Sequence, residues 1–91
     1  MKTIWKFPLL VSDVNVLEMP KDATILSVQA QDDEPMLWAL IEPEGPKTSR
    51  VVLTFGTGHR VDDSPLRFIG TYQLRGGAFV GHVFEPLMER T

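Results

Sequence analysis

The sequence predicts an all-β fold, an antiparallel meander forming a small barrel or sandwich of about seven strands. Three observations carry this expectation. Short apolar runs alternate in character with a period of two. Clusters of Gly, Pro, Asp and Glu separate those runs at regular intervals. No segment keeps the 3.6-residue apolar repeat of an amphipathic helix.

The elements follow in order. Ile4–Phe7 can start a strand that Pro8 confines to an edge or ends. Val14–Met19 reads as a second strand, closed by Pro20-Lys21-Asp22. In Thr24–Gln31, Leu26, Val28 and Ala30 share one face while Ser27, Gln29 and Gln31 share the other, the pattern of a strand with one wet side. After the turn Asp32-Asp33-Glu34-Pro35, the run Met36–Ile41 is apolar on both faces. Such a strand is central, or it meets another subunit, and a homo-oligomer is expected on that ground. Glu42-Pro43-Glu44-Gly45-Pro46 breaks the chain before Arg50–Phe55, where Val51, Leu53 and Phe55 alternate with Val52 and Thr54.

Beyond the loop Gly56–Arg60 and the turn Asp62-Asp63-Ser64-Pro65 lies Leu66–Leu74. Its Leu66, Phe68, Tyr72 and Leu74 share a face with Gly70, against Arg67, Thr71 and Gln73. Gly70 predicts a bulge or a close backbone approach. Arg75-Gly76-Gly77-Ala78 supplies the glycines that a tight hairpin needs. Phe79–Phe84 is the return strand, ended by Glu85-Pro86, and Leu87–Thr91 reads as a short tail with room for one helical turn.

Composition narrows the classes of function. The chain of 91 residues carries a formal charge of -3 and no cysteine. One domain is expected from that length. The missing cysteine excludes disulfides, thiolate chemistry and Cys-ligated zinc. An acidic chain without a basic stripe argues against a polynucleotide partner. No run reaches the roughly 18–20 apolar residues of a membrane helix, so a soluble protein with no membrane partner is expected. Neither a metal nor an organic cofactor is expected, because His59, His82 and the acids show no ligand spacing.

The best candidate for binding is Gly56-Thr57-Gly58-His59-Arg60, where amides in a glycine-rich turn can cradle an anion beside Thr57, His59 and Arg60. A small anionic ligand such as a nucleotide suits it. Arg67 adds charge, and Trp38 or Tyr72 offers a stacking ring. The plainer reading makes the glycines a strand connection and His59 its cap. The loop is neither a P-loop nor a dinucleotide fingerprint, since the Gly-Lys-Ser/Thr ending and the third glycine are missing. His82 alternates with Val80 and Phe84 and reads as a packed, hydrogen-bonded residue rather than a catalytic one.

The stretches Lys2–Leu9, Met19-Pro20, Ala23–Gln29, Leu37–Leu40, Phe55–His59 and Gly70–Gln73 together resemble a family of small proteins common in bacteriophage genomes. The resemblance covers nearly the whole chain. It implies a phage accessory protein in the host cytoplasm and brings no reaction with it. Small phage proteins of this kind often counter host defence, by sequestering a nucleotide signal or by occluding a host protein. A non-enzymatic binding protein is therefore the leading expectation. The alternatives are a phosphoester-acting enzyme using His59 and a minor virion or assembly protein.

Overall fold

A computed structural model describes residues 1–61 and 63–87. Asp62 of the expected acidic turn, and residues 88–91 of the tail with its expected helical turn, lie outside the described residues. Seven strands form: β1 Thr3–Pro8, β2 Val14–Pro20, β3 Thr24–Gln31, β4 Glu34–Ile41, β5 Lys47–Gly56, β6 Leu66–Leu74 and β7 Phe79–Pro86. They make two antiparallel sheets, one of order β1-β4-β3 and one of order β2-β5-β7-β6. The sheets do not close into a barrel, so the sandwich alternative is the one observed. Only β3–β4 and β6–β7 are hairpins between hydrogen-bonded neighbours. Three of the other connections pass from sheet to sheet, which interrupts the simple meander.

The core lies between the sheets. Leu37, Ala39 and Ile41 of β4 face Met19, Val52, Tyr72 and Val83 in one apolar cluster. Met36, Trp38 and Leu40 point the other way and are half-buried. The strand that reads as apolar on both faces is thus the centre of its sheet. Its outer side is spanned by Lys6 of β1, whose ammonium donates to Gln31 Oε1 of β3 at 2.6 Å.

Two irregularities reset the faces that alternation alone assigns. In β3 the pairing with β4 slips between Ile25 and Ser27. Ile25 and Val28 therefore turn inward, while Leu26 stands 47% exposed and Ala30 is exposed as well. In β6 the register slips between Phe68 and Gly70, at the glycine that predicted it. Tyr72 and Leu74 stay in the core, but Phe68 swings to the outer face beside Phe84, with ring centroids 5.3 Å apart. The absence of a side chain at Gly70 lets β6 approach β3: a Cβ there would sit 3.0 Å from Val28 Cγ1.

The hairpin at Arg75–Ala78 follows its glycines. Gly76 and Gly77 take positive φ, and Arg75 joins them at φ 52°. The Arg75 amide donates to the Asp33 carboxylate at 2.6 Å, tying the tip of one hairpin to that of the other.

Candidate functional site

Strand order makes the glycine loop more than a turn. β5 and β6 both run antiparallel to β7, which lies between them, so they are parallel to each other. Gly56 sits beside Gly81 and Leu66 beside Pro86, at opposite ends of β7. Those levels are about 16 Å apart along the strand. The connection from Gly56 to Leu66 must therefore cross the sheet, and its described start lies on the outer side. Thr57 fixes the start of this strap, because its hydroxyl lies 2.7 Å from His82 Nε2, while Thr71 Oγ1 lies 3.1 Å from His82 Nδ1 on the same outer face.

A single hydrogen-bonded turn begins the strap. The His59 amide donates to the Gly56 carbonyl at 3.1 Å, and Gly58 takes φ +86° at the third position. This arrangement fits a type II turn, whose third residue favours glycine. Gly56 lets the exposed His59 ring lie close over the backbone. A Cβ there would meet the His59 ring at 2.9 Å. The loop thus spends the His59 amide and the Thr57 hydroxyl on its own structure. The Arg60 guanidinium is exposed and has no ion pair among the described residues.

Three adjoining hollows gather at this strap. The first, of about 660 Å³, is lined by Phe55, Arg60, Val61 and Asp63. A second of about 310 Å³ adds Asp13, Val14, Leu53, Thr54 and His59. The smallest, about 140 Å³, lies among Ser12, Asp13, Gly56, His59 and Phe79. The segment carrying Asp13 is held in place by Asn15, whose side chain accepts from the Leu10 amide at 2.9 Å and donates to the Leu10 carbonyl at 3.1 Å. The Thr54 amide donates to Asp13 at its carbonyl, 2.9 Å away. The arrangement joins an apolar and aromatic floor to walls bearing one cation, one imidazole and two carboxylates.

The expected site residues divide into two groups. Gly56, Thr57, Gly58, His59 and Arg60 stay together in the strap. Tyr72 leaves the group: at 1% exposure its ring lies over Gly81 in the core, where no ligand can stack on it. Burial pushes its phenol above the ordinary value, and the neighbouring Thr54 hydroxyl offsets part of that rise. The two hydroxyls approach each other without reaching hydrogen-bond geometry, and neither has another partner among the described residues.

Trp38 lies on the outer side of the other sheet. Arg67 pairs across the strands with Glu85 and, though its side chain stays 58% exposed, binds Glu85 Oε1 at 2.7 Å. Arg50 holds the other oxygen of that buried carboxylate, through Nε at 2.7 Å and Nη2 at 2.6 Å.

Sequence reasoning missed Phe55 and Asp13 as lining residues. The signal for Phe55 was the unbroken run Val51–Phe55, apolar or hydroxylated on both faces like Met36–Ile41. Asp13 carried no local signal, for only the fold brings it to the strap. No group of three or more His, Cys, Asp or Glu among the described residues is placed to hold a metal. Among the described residues no helix is long and apolar enough to cross a membrane.

Fold and site together define a small two-sheet β domain with an open groove of mixed apolar and charged lining beside a crossover strap. The chain belongs to the family described as Domain of unknown function (DUF7352), whose model matches residues 1–90. No curated protein and no solved structure matches it.

Proposed function

We propose that this chain is a phage accessory protein that acts in the host cytoplasm by binding rather than by turnover. Its ligand is a small molecule with a planar ring and one anionic group, of nucleotide type. The phage setting rests on the sequence resemblance. The binding reading rests on one observation: Arg60, without an ion pair among the described residues, lines two adjoining hollows together with Phe55. Phe55 takes the ring by stacking, a contact worth about 1–3 kcal/mol when a base lies on an aromatic face. Arg60 takes the anionic group, and His59 closes the side. Asp13 and Asp63 on the same walls oppose a highly charged anion, so a monophosphate or cyclic phosphate fits better than a triphosphate.

The test is a thermal-shift and calorimetric panel of linear and cyclic nucleotides against the intact chain, Arg60→Ala and Phe55→Leu. A ligand at a hundredfold excess over its Kd stabilises the fold by about 2.7 kcal/mol, a rise of at least about 10 °C in a chain of this length. The expected result is such a rise for one class of monophosphate, lost in both variants, with the nucleotide recovered unchanged. A panel without any shift, or a shift that Arg60→Ala retains, removes the reading. Conversion of the nucleotide would transfer it to an enzyme using His59.

A further inference from the structure

We propose that the hollow between the β1–β2 loop and the β6–β7 hairpin binds a small apolar monocarboxylate, with Arg75 taking the carboxylate. Its volume is about 290 Å³, and Val11, Leu74, Arg75, Ala78 and Phe79 line it. Four of these side chains are apolar and one is a cation. A hollow of that size lies at the small end of ligand sites, so its occupant is a small molecule rather than a protein chain. Leu74 is 7% exposed and fixed in the core. The Phe79 ring packs on Tyr72 with centroids 5.9 Å apart, which makes the apolar wall rigid.

The Arg75 backbone points to a role for its side chain. Arg75, Gly76 and Gly77 take successive φ of 52°, 64° and 100°. Elsewhere among the described residues positive φ occurs only at glycine and aspartate, the residues that tolerate it. Glycine would make the same turn without the crowding that a Cβ brings. The Arg75 amide donates to Asp33 Oδ1 at 2.6 Å. That bond accounts for the backbone conformation, but an amide is there whatever the side chain. The guanidinium itself is exposed and has no ion pair among the described residues. Strained residues of this sort cluster at ligand clamps, and arginine meets a carboxylate through two parallel N–H donors.

Both walls are pinned before a ligand arrives. On the loop side the Leu9 amide donates to the Pro35 carbonyl at 3.0 Å, and Asn15 engages both backbone groups of Leu10. Val11, 57% exposed, stands on this fixed loop. On the hairpin side the Ala78 amide donates to the Arg75 carbonyl at 3.2 Å. Such a cleft binds without the entropic cost of ordering its loops. Its surroundings select a single negative charge. Asp33 and Glu34 line the adjoining hollow together with Arg75, and they oppose a doubly charged head such as a phosphate. The site does not depend on the nucleotide reading. It shares Val11 and Phe79 with the smallest hollow at the strap, but neither Phe55 nor Arg60 lines it.

Octanoate is the probe, titrated into the isotope-labelled intact chain and followed by NMR chemical shifts, with octylamine as the control of opposite charge. Saturable shifts should gather at Val11, Leu74, Arg75, Ala78 and Phe79, with octanoate bound at least about 10-fold more tightly than octylamine. Arg75→Gly should weaken octanoate at least about 10-fold. The same variant should unfold in urea at or above the wild-type midpoint, because glycine relieves the positive φ. Ala78→Phe, at an exposed position with φ -63°, fills the hollow and should abolish binding while Arg75 stays in place. Equal affinity for octylamine, shifts centred on Phe55 and Arg60, or an Arg75→Gly variant that keeps its octanoate overturns the proposal. A lowered midpoint in Arg75→Gly overturns it as well, since the guanidinium would then serve the fold.

Discussion

Gly81→Ala is the sharpest test of the core. A Cβ at this position would lie 2.8 Å from Tyr72 Cζ, 2.9 Å from Tyr72 Cε2 and 3.0 Å from Thr54 Cγ2. Carbon atoms in good contact stand about 3.5–4.0 Å apart, so the neighbours must retreat by about 0.5–0.7 Å or more. Neither can do so cheaply, with Tyr72 1% and Thr54 5% exposed and a rigid ring among the obstructing groups. Gly81 does not have positive φ, so the cost is steric and falls near the upper part of the 1–3 kcal/mol usual for overpacking, about 2–3 kcal/mol.

Gly70→Ala provides the comparison. There the closest atom is Val28 Cγ1 at 3.0 Å, one methyl of a side chain with a rotatable bond, and the backbone atoms lie at 3.5 Å and beyond. About 1 kcal/mol is expected. Urea unfolding followed by circular dichroism, at one protein concentration so that association does not vary, reads both values. With a slope of about 1–1.5 kcal/mol/M, Gly81→Ala should lower the midpoint by about 2 M and Gly70→Ala by less than about 1 M. A Gly81→Ala midpoint within about 0.3 M of wild type, or a larger loss at Gly70, would refute the packing argument.

Three further outcomes follow from Tyr72 and from Glu85 with its two arginines. Glu85→Gln keeps the shape of the side chain but leaves Arg50 and Arg67 without their counter-charge. With side-chain exposures of 19% and 58% for the two arginines, the loss should be about 2 kcal/mol, below the range for a fully buried pair because water screens Arg67. Arg67→Ala should cost less than about 1 kcal/mol by the same denaturation assay. Tyr72 predicts an alkaline limb. Its phenol is raised above the ordinary 10.0 in the folded chain, so above that pH the unfolded chain releases the proton first and stability falls as pH rises. Unfolding midpoints taken between pH 8 and 11 should show this fall in the wild type and a smaller one in Tyr72→Phe.

The strands were legible in the sequence because each rule that marks them is local. Pro8 ends an edge strand, Asp32-Asp33 and Gly76-Gly77 make turns, and a period of two marks the runs between them. The faces were legible only where pairing is regular. A bulge shifts every later side chain by one position, and nothing local says at which residue the slip occurs. Leu26 and Phe68 were assigned inward and lie outward for that reason. Arg67, read as part of a wet face, stays exposed and also pairs with Glu85. Gly70 did announce its bulge, since a glycine inside a strand needs a structural reason.

The groove was hidden for a different reason. A loop of Gly-Thr-Gly-His-Arg has the same local chemistry whether it joins adjacent antiparallel strands or crosses over a third. In the first case it would be a tight tip exposed to water, and Arg60 would face nothing. Placing β7 between β5 and β6 converts it into a strap, and the strap turns an outer sheet surface into the floor of a site. That insertion is decided by the last strand in the chain, far from the loop in sequence. Phe79–Pro86 can enter there because Gly81 leaves room for the Tyr72 ring and Glu85 bridges Arg50 and Arg67 on either side. The candidate site therefore depends on residues that never touch it: weakening Gly81 or Glu85 loosens the strand over which the strap is stretched.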